Sequence, residues 1–373
     1  MFKLSRSLKL RPSFSCFKGR YVTPAKASSS ALAPAPAPAD NTTVTVSEQH
    51  RSSFSRTLKA LLGLSVGVTL SLSSPMALAE QSATANAANN EQQISVFTYN
   101  GAREEATIMV PHQPQRIAVI DYAILDIINR LGLSSKIVGT AKGVAPEYLQ
   151  HLTTDPDIEN LGTVKAVDLE RLMALEPEVI FIGGRLAAQY DQLSRIAPVV
   201  FLAVDYKQPL LQSVKRNTDV IASIFDQQHQ ADALLQSFAQ RIATVKEKAQ
   251  GSSVLVGMVN ASQFKTLGDQ GRCAFIGQDL GFNNIAGNLS SNHGNESSFE
   301  LLLQLNPEYL FVLDRDSAIG RNGAQLARDV MNNELVHKTK AYQQDHIFYL
   351  NSAVWYLSEG GLSAMDLMLQ DIE

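Results

Sequence analysis

Residues 168–185 read DLERLMALEPEVIFIGGR, and residues 298–315 read SFELLLQLNPEYLFVLDR. The two stretches align without gaps, with seven identities in eighteen positions at an offset of 130 residues. Each copy predicts a helix that a proline ends, then a short apolar strand, then an arginine just beyond the strand. A helix followed by a buried strand is the repeating unit of α/β folds with a mostly parallel sheet. The repeat therefore predicts two similar α/β lobes.

The arginines that end the two copies, Arg185 and Arg315, stand at the carboxyl ends of their predicted strands. In open α/β sheets, ligands bind beyond the carboxyl ends of the strands. Two lobes that face each other would therefore bring both guanidinium groups to one cleft. The alternative is a shared helix–strand unit whose arginines are merely solvated.

The chain around the repeat fits a two-lobed plan. Short β-branched runs alternate with helical patterns in residues 93–206 and again in residues 251–373, which we interpret as an N-terminal and a C-terminal lobe. The first lobe opens with a predicted hairpin that turns at Asn100-Gly101, a pair that favours a two-residue type I′ turn. Residues 207–250 carry apolar side chains at helical spacing. We expect one long helix there, which joins two Rossmann-like α/β lobes as a stiff spine and leaves the ligand cleft between them.

The N-terminal region is typical of a targeting signal. Three basic residues precede an apolar run over residues 60–72, and the small-x-small pattern of a cleavage site follows at 77–79. This run of thirteen residues is too short to span a bilayer. We expect residues 51–79 to be a signal peptide cleaved near Ala79, with an uncleaved membrane anchor as the alternative. Residues 1–50 would be a disordered extension or the product of a start codon placed too far upstream.

The charge and cysteine content narrow the function. From residue 80 onward, 22 Lys and Arg oppose 34 Asp and Glu, a net charge of −12. So acidic a body argues against nucleic acid as a partner, and any anionic ligand must meet a local basic pocket. Cys273 is the only cysteine after the leader, so the exported protein has no internal disulfide. No cysteine lies at the cleavage site, and we therefore expect a periplasmic protein without a lipid anchor.

Signatures of catalysis are missing from the sequence. From residue 80 onward it contains no Gly-x-Ser-x-Gly elbow, no Walker loop, no His-Glu-x-x-His and no Gly-x-Gly-x-x-Gly after a predicted strand. We therefore expect a binding protein and not an enzyme.

A set of short motifs follows one order along residues 93–373. They are PQRIAV at 114–119, LGT at 161–163, the two repeat copies, NHG at 292–294 and WYL at 355–357. In order and spacing they resemble the periplasmic siderophore-binding proteins whose two α/β lobes are joined by one rigid helix, and the ferric-catecholate branch most. The resemblance implies a protein that carries an iron(III)–catecholate siderophore to an inner-membrane ABC permease, with no intrinsic cofactor. A haem, cobalamin or hydroxamate-siderophore carrier on the same fold is the alternative, and a tethered interaction domain would require an uncleaved leader.

The resemblance also implies a ligand site. In that branch the site uses three arginines, a histidine and a tyrosine, which fall here on Arg185, Arg272, Arg315, His293 and Tyr356. Guanidinium groups are permanently charged and offer several planar donors to an anionic ferric catecholate. Fe(III) favours anionic oxygen such as a phenolate, and imidazole is a common partner for iron. The histidine and tyrosine would complete the coordination of a tetradentate siderophore, whereas a hexadentate one would leave them no role.

Two of these residues have ordinary alternative interpretations, as does Trp355. His293 lies in a polar stretch, where a solvated loop residue is common, and Tyr356 beside Trp355 could form an aromatic core pair. We include Trp355 among the ligand-binding residues, although a packing wall beside the site is the other interpretation.

The repeat further pairs two acidic residues. Glu170 and Glu300 occupy equivalent places at the starts of the repeated helices, where a carboxylate also suits the helix N-terminus. The resemblance implies that they dock one lobe each onto the two subunits of the permease. Ordinary helix-end electrostatics is the alternative. We expect the protein to act as a monomer.

Overall fold

The computed structural model describes residues 92–288, 295–296, 299–321 and 323–373. All of them belong to one compact unit. The predicted extension over residues 1–50, the signal peptide over 51–79 and His293 lie outside the described residues.

An antiparallel hairpin opens the described chain. Strands β1 (Gln93–Tyr99) and β2 (Glu105–Pro111) pair from Gln93 with Pro111 to Tyr99 with Glu105. Five residues, 100–104, therefore connect the strands, and the predicted two-residue type I′ turn is wrong. The longer loop is closed by Asn100, whose side-chain oxygen accepts a hydrogen bond from the backbone N–H of Glu104 at 2.9 Å. Arg103 has a left-handed backbone with φ 64°.

The first lobe is built on a parallel sheet. The strands that follow the hairpin are β3 (Ile117–Ile120), β4 (Ile137–Thr140), β5 (Glu159–Asn160), β6 (Gly162–Thr163), β7 (Ala166–Val167), β8 (Val179–Ile182) and β9 (Val199–Phe201). Five of them form one sheet in the order β5-β4-β3-β8-β9, with every pair parallel, and β6 and β7 form a small antiparallel ribbon. Strands β3 and β8 are buried at every residue, as expected of central strands covered on both faces.

Helices cover this sheet. They are α1 (Tyr122–Arg130), α2 (Gln150–Thr153), α3 (Leu169–Ala174) and α4 (Tyr190–Leu193), with 3₁₀ turns at Ser134–Lys136, Glu147–Leu149 and Gly184–Gln189. The first of these helices begins at Asp121, whose carboxylate accepts hydrogen bonds from the N–H groups of Ala123 and Ile124. This side-chain cap places Asp121 at the carboxyl end of β3.

The connecting segment contains two helices where one was expected. Helix α5 (Leu210–Phe225) and helix α6 (Gln228–Ala249) are separated at Asp226, which takes a left-handed backbone with φ 55°. The Asp226 N–H still donates to the Ala222 carbonyl, so the first helix ends there in an αL cap. The expected spine is thus divided, and its long uninterrupted part is α6.

The second lobe has a mixed sheet. Its strands are β10 (Ser253–Asn260), β11 (Gln263–Leu267), β12 (Asn283–Asn284), β13 (Asn295–Glu296), β14 (Tyr309–Asp314) and β15 (Ile347–Tyr349). They follow the order β13-β11-β10-β14-β15, with β12 also on β10. The pairs β10–β14, β14–β15 and β10–β12 are parallel, and those on β11 are antiparallel.

Short helices surround the second sheet. They are α7 (Phe275–Gln278), α8 (Phe299–Leu305), α9 (Arg315–Ala318), α10 (Ala327–Met331), α11 (Glu334–His337), α12 (Lys340–Gln343), α13 (Ser352–Leu357) and α14 (Leu362–Gln370). The described residues thus form two α/β lobes with parallel central strands, and the predicted fold class is confirmed.

The sequence repeat is also a backbone repeat. Glu176 and Asn306, which precede the two prolines, both take left-handed backbones, with φ 46° and 43°. Two residues later, Glu178 accepts a hydrogen bond from the Arg116 N–H at 2.8 Å, and Glu308 accepts one from the Ser253 N–H at 3.1 Å. Each glutamate thereby links its strand to the start of the neighbouring central strand, which explains why a glutamate directly follows the proline in both repeat copies.

One apolar core runs through both lobes. The same cluster of buried side chains includes residues of β3 and α1, of α6, and of β10, α13 and α14. The last helix, α14, packs on α1 of the first lobe. The buried Asp126 of α1 reinforces this contact, since it accepts a hydrogen bond from the Ala364 N–H of α14 at 2.8 Å.

Candidate functional site

The three predicted arginines lie on three different elements. Arg185 is in the 3₁₀ turn directly after β8, and Arg315 is the first residue of α9 directly after β14. Both therefore lie beyond the carboxyl ends of central parallel strands, as the repeat predicts. Arg272 lies between β11 and α7, next to Gly271 and Cys273, whose backbones are left-handed with φ 114° and 62°.

The arginines converge on Tyr356 in α13. Arg185 Nη2 donates to the Tyr356 carbonyl at 3.0 Å, and Arg272 Nη1 donates to the same carbonyl at 3.0 Å. Arg315 Nε donates to the Tyr356 hydroxyl at 2.8 Å. The guanidinium carbons of Arg272 and Arg315 lie 4.2 and 5.5 Å from the centre of the phenol ring, within the range of a cation–π contact. Four residues predicted from the sequence are thus brought to one place, with Arg185 reaching across from the first lobe.

A cavity of about 430 Å³ adjoins this group. Its charged lining side chains are Arg103, Asp121, Arg185, Arg272 and Glu359, so both lobes contribute to it. Arg185 lies 3.8 Å from Asp121, and Arg272 lies 3.5 Å from Glu359. Arg272 retains a buried Nε without a hydrogen-bond partner in the described part of the chain. The cavity is therefore rich in guanidinium donors, the groups that recognise planar anionic oxygens.

The two carboxyl groups that line the cavity, those of Asp121 and Glu359, are buried. Burial raises the pKa of Asp121 and of Glu359, against the opposing effect of Arg185 on the first and Arg272 on the second. Glu359 also accepts a hydrogen bond from the Tyr206 hydroxyl at 2.9 Å, and burial raises the pKa of that tyrosine as well. The hydroxyl is therefore held in its donor form beside the cavity.

Sequence reasoning missed several lining residues. Asp121 both caps α1 and lines the cavity. Nothing in the sequence marks Arg103, Tyr206 or Glu359, because they reach the cavity through a hairpin loop, a strand-to-helix loop and the turn after α13.

Trp355 does not face the cavity. Its side chain is fully buried, donates from its indole N–H to Asp371 at 2.8 Å and packs near Phe275. Only its backbone carbonyl approaches the site, where it accepts a hydrogen bond from Arg272 at 2.9 Å. This placement favours the other interpretation of Trp355, a packing wall behind Tyr356.

The predicted docking residues lie on the surface. Glu170 and Glu300 are exposed, each in the first turn of its helix, α3 and α8. No helix in the described ranges is both long and apolar enough to cross a membrane.

Comparison with known proteins places this site in context. A family model described as periplasmic binding protein matches residues 117–354. The petrobactin-binding protein YclQ of Bacillus subtilis is 33% identical over 267 residues, which cover 71% of this chain and 83% of YclQ. The crystal structure of YclQ matches with a TM-score of 0.70 and 32% identity, covering 75% of this chain and 97% of that one.

Two further relatives come from Vibrio species. The ferric-anguibactin-binding protein FatB of Vibrio anguillarum is 24% identical over 270 residues, covering 71% of this chain and 83% of FatB. The crystal structure of VctP from Vibrio cholerae, a periplasmic catecholate-siderophore binding protein, matches with a TM-score of 0.69 and 26% identity, covering 75% of this chain and 99% of that one. The family match and the identity to YclQ along most of both chains show that this chain belongs to the periplasmic binding protein family, whose members bind substrates and are not enzymes.

Proposed function

We propose that this protein captures an iron(III)–catecholate siderophore between its lobes and delivers it to an inner-membrane ABC permease. The observation that carries the proposal is the convergence of Arg185, Arg272 and Arg315 on Tyr356, next to a cavity lined by both lobes. The relatives named for petrobactin, ferric anguibactin and a catecholate siderophore support the same class of ligand.

The arginines suit this cargo chemically. Catecholate oxygens leave the ferric complex with net negative charge, and a guanidinium offers charge-assisted hydrogen bonds from a rigid fork at any physiological pH. Each predicted arginine already has part of its fork fixed by a protein acceptor, which limits the side-chain entropy lost when a ligand binds.

Tyr356 and His293 are the proposed iron ligands. The Tyr356 side chain is 7% exposed, and its oxygen accepts from Arg315 at the carboxyl ends of the second lobe's strands. A phenolate oxygen and an imidazole nitrogen would fill the two positions that a tetradentate siderophore leaves open on Fe(III).

Delivery and export complete the proposal. We infer that Glu170 and Glu300, exposed on equivalent helices of the two lobes, contact the two permease subunits. We further propose that the protein is a periplasmic monomer with the leader removed near Ala79 and no lipid anchor.

The decisive experiment is a titration of the purified protein with Fe(III) bis-catecholate. The readouts are the fluorescence of Trp355 and the visible charge-transfer band of the iron. Trp355 lies close to the site, because its backbone carbonyl accepts a hydrogen bond from Arg272. The test variant is His293→Ala with Tyr356→Phe. Its matched control is His337→Ala with Tyr342→Phe, another His–Tyr pair of the second lobe, whose rings lie 4.2 Å apart.

The outcomes separate the candidate ligands. We expect the ferric complex to quench Trp355 fluorescence saturably in the wild type and in the control variant. We also expect it to shift the charge-transfer band in both proteins, and the test variant should lose this shift. If the wild type shows neither quenching nor a band shift, the catecholate assignment fails, and haem, cobalamin and hydroxamate chelates become the ligands to test.

A further inference from the structure

The charges lining the 430 Å³ cavity do not cancel. Three guanidinium groups face two carboxylates, and two of the three are matched, since Arg185 lies beside Asp121 and Arg272 beside Glu359. The remaining cation is Arg103. With both acids ionised, the cavity therefore owes its excess positive charge to this residue.

Arg103 is held over the cavity by the hairpin loop. Its guanidinium Nη2 donates to the Gly184 carbonyl at 2.6 Å, one residue before Arg185. A Cβ atom on Gly184 would lie 3.2 Å from Arg103 Nη1, so the glycine leaves room for the guanidinium to rest on the backbone. The left-handed backbone of Arg103 is part of the same placement.

Most hydrogen-bond donors of the Arg103 guanidinium have no partner among the described residues. Among the described residues it makes the single hydrogen bond to Gly184 and no ion pair within 4.0 Å. A guanidinium carries five N–H donors, so most of this fork is open to a ligand or to water. Arg272, by contrast, already meets two carbonyls and a carboxylate.

Arg103 also stands between two cavities. A second cavity of about 480 Å³ shares Arg103, Ala203, Val204 and Tyr206 with the first. Its other charged lining residues are Glu105, Asp205 and Lys207. The second cavity thus has two acids against one lysine, whereas each acid of the first cavity is paired with an arginine. An anionic group is therefore favoured on the side of Arg103 that lines the first cavity.

We propose that Arg103 is a further ligand-binding residue, which receives an anionic oxygen of the ligand where the two cavities meet and gives the site its net attraction for anions. This inference rests on the proposed function, because it assumes an anionic ferric complex as cargo. It assigns a binding role to the hairpin, which lies outside both sheets.

The test compares Arg103→Gln and Arg103→Lys with Arg116→Gln in the full protein. Arg116 is a matched control because it is also exposed and also donates from its guanidinium to a backbone carbonyl, that of Leu175, but lines neither cavity. The dissociation constant for Fe(III) bis-catecholate is measured at several salt concentrations, and thermal unfolding shows that each variant is folded.

The expected result is a loss of affinity of about fivefold to tenfold for Arg103→Gln at low salt, together with a weaker salt dependence. Arg103→Lys keeps the salt dependence because it keeps the charge, and Arg116→Gln matches the wild type. Equal affinity and equal salt dependence in the wild type and Arg103→Gln would overturn the inference, as would equal losses in the Gln and Lys variants. Failure of the wild type to bind the complex at all is a failure of the proposed function instead.

Discussion

The carboxylate of Asp126 in the first lobe caps the N-terminus of the last helix in the second, 2.8 Å from the Ala364 N–H. Around this contact, α14 packs on α1, and Arg241 of α6 forms ion pairs with Asp366 and Glu373 at the end of the chain. The lobes are therefore joined by packed helices as well as by the connecting segment.

Such packing predicts little movement between the lobes. We expect the radius of gyration from small-angle scattering to be the same for the ligand-free protein and the protein saturated with ferric bis-catecholate, because closure would break buried contacts of one continuous core. A binding protein with a known hinge serves as the positive control, because its radius of gyration should decrease when the ligand closes it. A clear contraction of this protein would contradict the prediction.

Asp126 also predicts a dependence of stability on pH. Burial raises its pKa, and its Oδ1 atom has no hydrogen-bond partner in the described ranges. Between the ordinary carboxyl pKa of about 4 and the raised value, the folded state binds more protons than the unfolded state, so the free energy of unfolding falls as pH rises. Asp126→Asn should weaken this fall while keeping an acceptor for Ala364.

The measurement is urea unfolding at a series of pH values. Other acids such as Asp279 and Asp371, whose pKa values desolvation also raises, keep part of this pH dependence of stability in the variant. The exposed Asp157→Asn is the control and should follow the wild type. If the free energy of unfolding falls with pH equally steeply in Asp126→Asn and in the wild type, the pKa of Asp126 is not raised.

The Arg272–Glu359 pair predicts a large loss of stability on truncation. The side chains are 10% and 4% exposed, so Arg272→Ala leaves a buried carboxylate without its counter-ion. We expect a loss of about 3–5 kcal/mol in the free energy of unfolding, part of which Glu359→Gln should restore in the double variant.

The contrast is a surface pair. Arg171 lies 2.8 Å from Glu159, with both side chains well exposed, and Arg171→Ala should cost less than about 1 kcal/mol. Chemical denaturation of the four proteins checks both values. Similar losses for Arg272→Ala and Arg171→Ala would mean that the Arg272 site is well hydrated.

We expect a side chain at position 183 to disturb both the stability of the fold and the ligand site. A Cβ at this residue would lie 2.0 Å from the Asp121 Oδ2 atom, so Gly183→Ala must displace the side chain that caps α1 and neighbours Arg185. The loss of the cap alone is worth about 0.5–2 kcal/mol, and affinity for the ferric complex should fall as well. Gly143→Ala, whose nearest neighbour would be the Tyr122 hydroxyl at 3.7 Å, should be nearly neutral in both respects. Denaturation and ligand titration of the two variants test this difference.

The proposed docking residues can be separated from ligand binding. Glu170→Arg with Glu300→Arg should leave the affinity for the ferric complex unchanged, because both residues lie on the exposed first turns of α3 and α8. Stimulation of the ABC transporter's ATPase in membranes should be lost. Glu147→Arg with Glu334→Arg, also exposed and one in each lobe, is the control. Equal stimulation by both double variants would move the docking surface elsewhere.

The predictable part of the fold follows from local periodicity. Prolines 177 and 307 and the apolar runs after them correctly predict both central strands and the places of Arg185 and Arg315. The break between α5 and α6 was not predicted, because Asp226 is a single residue that adopts a left-handed backbone inside an otherwise helical pattern. Periodicity reports which face is buried and is insensitive to one such residue.

Some residues of the candidate site could likewise be predicted from the sequence, and others could not. Arg272 and Tyr356 were placed by resemblance, and the structure brings them together although they are 84 residues apart in sequence. Trp355 and Tyr356 are neighbours in one helix, and the sequence alone does not show which of the two side chains faces the site. Glu359 and Arg103 depend on how a turn and a hairpin loop lie against other elements, which only tertiary structure decides.

Helix α14 packs on α1, and the hydrogen bond between Asp126 and Ala364 joins residues 238 positions apart in sequence. Until residues 362–370 have emerged, the apolar face of α1 lacks its native cover, and the buried Asp126 lacks the backbone N–H that it caps. The native core around α1 therefore cannot be completed before residues 362–370 have been made. A deletion of residues 362–370 should therefore damage the first lobe as much as the second.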